Sequence, residues 1–143
     1  MGQEISRQIM TSIFIDTSTF IALLRENDVN HKKAQALSLK INKEKWKAII
    51  TDYVIDETYT GLLTRVSFPA ALQFDERLKS GLWRIELITP QRFAGAQEVF
   101  RRHNKDKKWS FTDCTSYVVM KELKISTAFT FDQNFAQMGF KIL

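Results

Sequence analysis

Short apolar runs alternate with stretches in which apolar residues recur three or four positions apart, and this alternation organises the chain. SIFID (12–16) is β-branched and aromatic with no polar face, which predicts a buried strand, and TSTFIALLREN (17–27) then reads as a helix. A second helix is expected over 29–43 and a strand at WKAIIT (46–51). DYVIDETYTGLLTRV (52–66) repeats Val54, Ile55, Tyr59, Leu62, Leu63 and Val66 at helical spacing, and a further helix runs from about Pro69 to Gly81. LWRIELIT (82–89) reads as a strand. Pro90 opens a helix to about Asn104, because a missing N–H costs nothing at the first helical position. A helix from Thr112 to about Leu123, a strand at STAFTF (126–131), a short helical turn and the apolar segment FKIL complete the chain.

Apolar strands separated by helices imply parallel pairing, because parallel neighbours need crossover connections and helices then cover both faces of the sheet. The fold class is therefore α/β. In such sheets a site forms beyond the carboxyl ends of the strands, where the strand order reverses.

Composition narrows the picture without redirecting it. The 143 residues are 44% hydrophobic with only 5 Gly and 2 Pro, which fits one domain with an ordinary core and no linker or repeat. A single cysteine, Cys114, excludes an internal disulfide and a CxxC zinc site, and it reads as a buried thiol in a reducing, cytoplasmic setting. The segment MGQEISRQIMTSIF carries Glu4, Arg7 and Gln8 where a secretory signal needs an apolar centre, so residues 1–11 are expected to be a disordered lead to a domain at 12–143. No apolar run is long enough to span a membrane, and no membrane association is expected.

The candidate chemistry lies in four acids. Asp16 ends the first strand and Asp132 follows a late one; Glu57 lies on the first turns of the helix after IIT, and Asp113 at the start of the helix before the late strand. Taken singly, Asp16 and Asp132 are ordinary helix N-caps, Asp113 a first-turn acid beneath a Thr112 cap, and Glu57 a solvated helix residue. Together they fall on one rim of the sheet. Carboxylates about 5 Å apart would repel by roughly 3 kcal/mol per pair at an effective dielectric near 20. Such a cluster takes up protons or binds a cation, and oxygen ligands without Cys or His suit Mg²⁺ or Mn²⁺. Asp56 and Glu57 are neighbours about 100° apart around a helix, so only one of them can face the site.

FIDTS with Asp16, DET with Glu57, SFTDCTS with Asp113 and TFDQNF with Asp132, in that order and on those elements, resemble the acidic motifs of PIN-domain ribonucleases. The resemblance spans about Ser12 to Leu143 and is nearest to the VapC-type toxins of bacterial and archaeal toxin–antitoxin pairs. It implies a PIN-like three-layer α/β/α fold around a mainly parallel sheet of four or five strands. It also implies an endoribonuclease in which Asp16, Glu57, Asp113 and Asp132 hold Mg²⁺ or Mn²⁺, with the ion activating a water. Thr17, Ser18 and Thr112 match the hydroxyl residues flanking those acids. The implied partners are an RNA substrate, a cognate antitoxin and a second copy in a homodimer.

Net charge of +5 adds a bias toward anionic partners. RRHNKDKKW (101–109) offers Arg101, Arg102, Lys105, Lys107 and Lys108 to RNA phosphates, while Trp109 serves either as a stacking face or in the core. KINKEKWK (40–47) is the other basic run, and both runs also fit solvated helix ends. His31 and His103 are read as surface residues, their spacing suiting neither a metal pair nor a triad. No GxSxG motif supports a nucleophilic serine, and Cys114 has no nearby His. A haloacid-dehalogenase-like phosphatase would need a second Asp where Ser18 stands, and a receiver domain would need an Asp where the strand ends in Thr89-Pro90. The non-enzymatic alternative is a PIN-like module that binds RNA or protein without cleaving it.

Overall fold

The structure, a computed structural model, describes residues 11–143. The expected N-terminal lead falls, except for Thr11, outside the described residues. Thr11 already joins the fold, its carbonyl accepting a hydrogen bond from Lys47 N at 2.9 Å.

Five strands form one sheet: β1 (Ser12–Ile15), β2 (Lys47–Thr51), β3 (Arg84–Glu86), β4 (Thr127–Phe129) and β5 (Lys141–Ile142), in the order β3-β2-β1-β4-β5. Every pairing is parallel, with Ile13 opposite Ala48 and Phe14 opposite both Ile49 and Ala128. Helices α1 (Thr17–Leu24) and α2 (His31–Lys43) join β1 to β2, and α3 (Asp52–Arg65) and α4 (Phe68–Lys79) join β2 to β3. Next, α5 (Pro90–His103) and α6 (Phe111–Glu122) carry the chain back across the sheet to β4, and the one-turn α7 (Asn134–Gln137) leads to β5. With right-handed crossovers, this reversal of direction places α5 and α6 on the face opposite α1–α4. The reversal lies between β1 and β4, so the crevice at their carboxyl ends is where a site is expected.

Central strands are apolar all round because both faces are covered. Ile13, Phe14, Ile50, Ala128 and Phe129 are each 1% exposed or less. Around them pack Phe20, Phe74 and Trp83, with ring centroids 4.9 to 5.8 Å apart, an arrangement worth about 1 kcal/mol per pair beyond area burial. The expected strand over 82–89 shrinks to Arg84–Glu86. It is the sheet edge, its side chains are largely exposed, and Arg84 spends its charge on Glu86 at 2.8 Å.

Several helices begin at caps that differ from expectation. The helix expected from Pro69 starts at Phe68 because Ser67 Oγ accepts from Ala70 N. The helix expected from Thr112 starts at Phe111: Ser110, not Thr112, is the cap, and Ser110 and Asp113 bond each other's backbone N–H reciprocally. The first helix stops at Leu24 rather than Asn27, and the second starts at His31 rather than 29, leaving a loop at 25–30. Among the described residues no helix is long and apolar enough to cross a membrane.

Candidate active site

Each of the four acids is delivered by a separate strand end or helix start. Asp16 caps α1 directly after β1, Glu57 sits on the second turn of α3, Asp113 on the first turn of α6, and Asp132 just beyond β4. All four line one cleft of about 450 Å³ at the carboxyl ends of β1 and β4, together with Thr17, Ser18, Ser110 and Asn134. Asp56, the neighbour of Glu57, is exposed and lines only a shallower adjoining depression, as helix geometry requires.

The carboxylates are anchored in a common manner. Asp16 Oδ2 accepts from Ser18 Oγ at 2.9 Å and Thr130 Oγ1 at 3.0 Å. Asp113 Oδ2 accepts from Asn134 Nδ2 at 2.8 Å and Ser110 N at 3.1 Å. Asp132 Oδ1 accepts from Asn134 N at 2.9 Å. In each acid the second oxygen takes no hydrogen bond from the described residues, and none of these oxygens is sealed from solvent. Three oriented carboxylates therefore present one uncommitted oxygen each.

Holding them together has an electrostatic cost. Asp16, 3% exposed, is pushed up to about 7, first by burial and then by the charges of Asp113 and Glu57, against the two hydroxyl bonds that lower it. Asp113 is also raised, chiefly by burial, with Asp132 and Glu57 adding to it and the Asn134 and Ser110 bonds opposing. Burial and the neighbouring carboxylates thus both favour the protonated form of these two acids. The donor set, carboxylate oxygens with amide and hydroxyl neighbours, fits a hard divalent cation. No group of three or more acid, His or Cys side chains among the described residues is placed to hold an ion directly.

The flanking hydroxyls divide. Ser18 Oγ accepts from Phe131 N at 2.9 Å and lies 3.1 Å from Thr130 Oγ1, tying β4 to Asp16. Thr17 Oγ1 instead takes Thr58 Oγ1 at 3.1 Å and reaches Val54 O at 3.4 Å, so it joins α1 to α3. Thr112 lies outside the main cleft, in the adjoining depression beside Glu57.

Of the basic run, Lys108 alone reaches the cleft. Arg101 and Arg102 both pair with Glu98 at 3.2 Å, Lys107 pairs with Asp106, and Lys105 points to solvent from the turn after α5. Trp109 is core, 3% exposed, with Nε1 donating to Gln137 Oε1 at 2.9 Å, so it offers no stacking face. Both histidines are half-buried rather than free at the surface: His103 stacks on Trp109 with centroids 4.8 Å apart, and His31 Nδ1 lies 2.7 Å from Ala22 O. Cys114 is buried, and burial raises its thiol to about 11, which leaves it unreactive.

Sequence reasoning missed Asn134, Thr130, Arg25 and Arg65, which all line the cleft or bond its acids. Ser110 was legible in principle, since SFTD is a hydroxyl followed three residues later by an acid, the spacing of a capping box. Arg65 stands two helical turns after Glu57, on the same face.

The PIN domain family model matches residues 13–141. The 23S rRNA-specific endonuclease VapC20 of Mycobacterium tuberculosis is 33% identical over 129 residues, covering 90% of this chain and 95% of that protein. A VapC ribonuclease of Archaeoglobus fulgidus is 31% identical over 123 residues, covering 85% and 78%. The crystal structure of VapC20, described as a sarcin–ricin loop cleaving toxin, superposes with a TM-score of 0.81 at 32% identity, covering 90% of this chain and 96% of that one. FitAcB from Neisseria gonorrhoeae shares the fold, with a TM-score of 0.62 at 18% identity over 92% of this chain and 96% of that one. With the acids of four separate segments gathered at the switch point of a parallel sheet, and relatives matched along most of their length, the chain belongs to the PIN-domain family, among its VapC-type ribonucleases.

Proposed function

We propose that this protein hydrolyses RNA phosphodiester bonds as a Mg²⁺- or Mn²⁺-dependent endonuclease and acts as the toxin of a toxin–antitoxin pair. One observation carries the reading: Asp16, Asp113 and Asp132, each with one oxygen anchored and one uncommitted, line a single cleft with Glu57. Asp16, Asp113, Asp132 and Glu57 would hold the cation between them. When bound, the cation supplies water activation and neutralises charge growing on the phosphoryl group.

The chain's own residues do the rest. Ser18 and Thr130 hold the Asp16 carboxylate in one orientation, and Asn134 with the Ser110 N–H does the same for Asp113. Lys108 at the cleft meets the RNA backbone, and Arg101, Arg102, Lys105 and Lys107 lie farther out as electrostatic attraction. The catalytic unit is residues 12–143, working in the cytoplasm where its RNA is. VapC20 is a 23S rRNA-specific, sarcin–ricin loop cleaving toxin, and its similarity along the chain favours a ribosomal RNA loop as substrate here. An antitoxin and a second copy of the chain are the protein partners. A PIN-like module that binds without cleaving has no need of four intact acids with free oxygens in one cleft.

The test is incubation of total cellular RNA with purified protein in Mg²⁺, Mn²⁺ or EDTA, with mapping of the new ends. Discrete cuts only with the metals, abolished by Asp113→Asn, are expected. Equal cutting by that variant would show the site to be misassigned. Expression without a cognate antitoxin is expected to arrest growth.

A further inference from the structure

Arg84, Arg92, Arg101 and Arg102, none of which lines the cleft, are each paired with a glutamate. Arg25 and Arg65 line the acidic cleft itself, yet neither forms an ion pair among the described residues. Both also line a second depression of about 530 Å³ whose walls include Asn27, Ser67 and Gln73. The two guanidiniums therefore stand at the seam between the acidic cleft and a polar recess.

The sequence of α3 explains how Arg65 gets there. Glu57, Gly61 and Arg65 are four residues apart and share one helix face. A Cβ on Gly61 would lie 2.9 Å from Arg65 Nη2 and 3.3 Å from Ile21 Cδ1. The guanidinium thus folds back over the bare Cα of Gly61, one turn toward Glu57. Glycine inside a helix costs about 1 kcal/mol relative to alanine, and no left-handed backbone conformation requires it here. What the position uses is the missing side chain.

We propose that Arg25 and Arg65 bind a backbone phosphate of the RNA next to the scissile one, that the polar recess takes the adjoining nucleotide, and that Gly61 is the seat that keeps Arg65 in reach. The chemistry is direct: a guanidinium is a planar fork of donors matched to phosphate oxygens. An acidic cleft that must admit a polyanion needs such cations at its margin, and they must be free of internal partners to be of use. This inference rests on the reading of the cleft as an RNA site.

Binding of a short fluorescein-labelled single-stranded RNA tests it by anisotropy in Mg²⁺ across a salt series, in the Asp113→Asn background so that the RNA is not cut. Arg65→Gln is expected to weaken binding about tenfold, the loss of one charge-assisted contact. It also flattens the dependence of log K on log salt by about 0.7, the value for one phosphate contact on a single strand. Arg25→Gln does the same, and Arg65→Lys restores the slope but not the full affinity, because a point charge lacks the fork. Gly61→Ala weakens binding with Arg65 present and changes nothing in the Arg65→Gln background. Wild-type affinity and slope in both Arg→Gln variants, each confirmed folded by its melting curve, would overturn the proposal, as would an absence of RNA binding altogether. If the slopes change as stated while the wild-type protein cuts no RNA with either metal, the nuclease reading fails and the phosphate subsite stands.

Discussion

Replacing Asp16 by Asn should make the metal-free protein more stable at alkaline pH. Asp16 is pushed up to about 7 from an ordinary value of 3.8 by burial and by the Asp113 and Glu57 charges. Because its folded pKa lies above its unfolded one, the native state keeps a proton that the unfolded chain has released between about pH 4 and pH 7. Stability is therefore full below the unfolded value and is lost as pH rises through about 7. At ~1.4 kcal/mol per pKa unit, the rise corresponds to roughly 4 kcal/mol, a large share of the 5–15 kcal/mol typical of a domain. Asparagine keeps the carbonyl oxygen that accepts from Ser18 and Thr130, and it cannot ionise. Urea denaturation in EDTA, followed by the fluorescence of the three tryptophans, measures the difference at pH 5 and pH 8. The variant's lead should already be about 1–2 kcal/mol at pH 5 and should grow by a further ~2–3 kcal/mol by pH 8. Other titrating groups contribute to both and largely cancel. Saturating Mn²⁺ should stabilise the wild type at pH 8 and help the variant far less. Parallel pH dependences in EDTA would refute the argument, since the charge on Asp16 would then carry no folding cost.

The anchoring residues give two further expectations. Ser110→Ala removes the α6 cap and should cost about 1 kcal/mol in urea denaturation, with activity falling roughly tenfold as Asp113 loses its fixed orientation. Thr130→Val removes a donor that lowers the Asp16 pKa, so the acidic limb of the pH–rate profile should move to higher pH while Thr130→Ser leaves it in place.

The fold was legible because a doubly covered parallel sheet writes itself as apolar runs between helical periods, and the runs at 12–16 and 46–51 became the two long central strands. The edge was less legible. LWRIELIT has strand composition over eight positions, yet only Arg84–Glu86 pairs, because one side of an edge strand has no neighbour to extend the ladder. Asp16, Asp113 and Asp132 were legible as candidates because each sits where a strand ends or a helix begins, positions that periodicity fixes; Glu57, a turn into its helix, was singled out over Asp56 by its match to the DET of the PIN-domain motifs. Arg25 and Arg65 were not, because their relevance comes from what they fail to pair with, a property of side-chain placement rather than of spacing. Trp109 beside five basic residues read equally well as a stacking surface; the Asn104 side chain, bonding both Trp109 N and Trp109 O, turns that loop inward and buries the ring.

Asp113 shows why local and functional readings of one acid need not compete. As a first-turn residue it belongs to a capping box, and that role uses Oδ2, which accepts from Ser110 N and from Asn134. The box fixes the side-chain torsions, and so it fixes where the other oxygen, Oδ1, points. Asp16 repeats the device, since its Oδ2 caps α1 and binds Thr130 while its Oδ1 stays uncommitted. Helix starts at the carboxyl ends of parallel strands are thus good places to build such a site. The bond that begins each helix also orients a ligand, and the helix N-terminus offsets part of the charge its acid brings. Raised pKa values at Asp16 and Asp113 mark the limit of that offset: the caps stabilise each carboxylate singly but do not outweigh its burial, the larger cause, nor the charges of the neighbouring acids, which a bound cation would relieve.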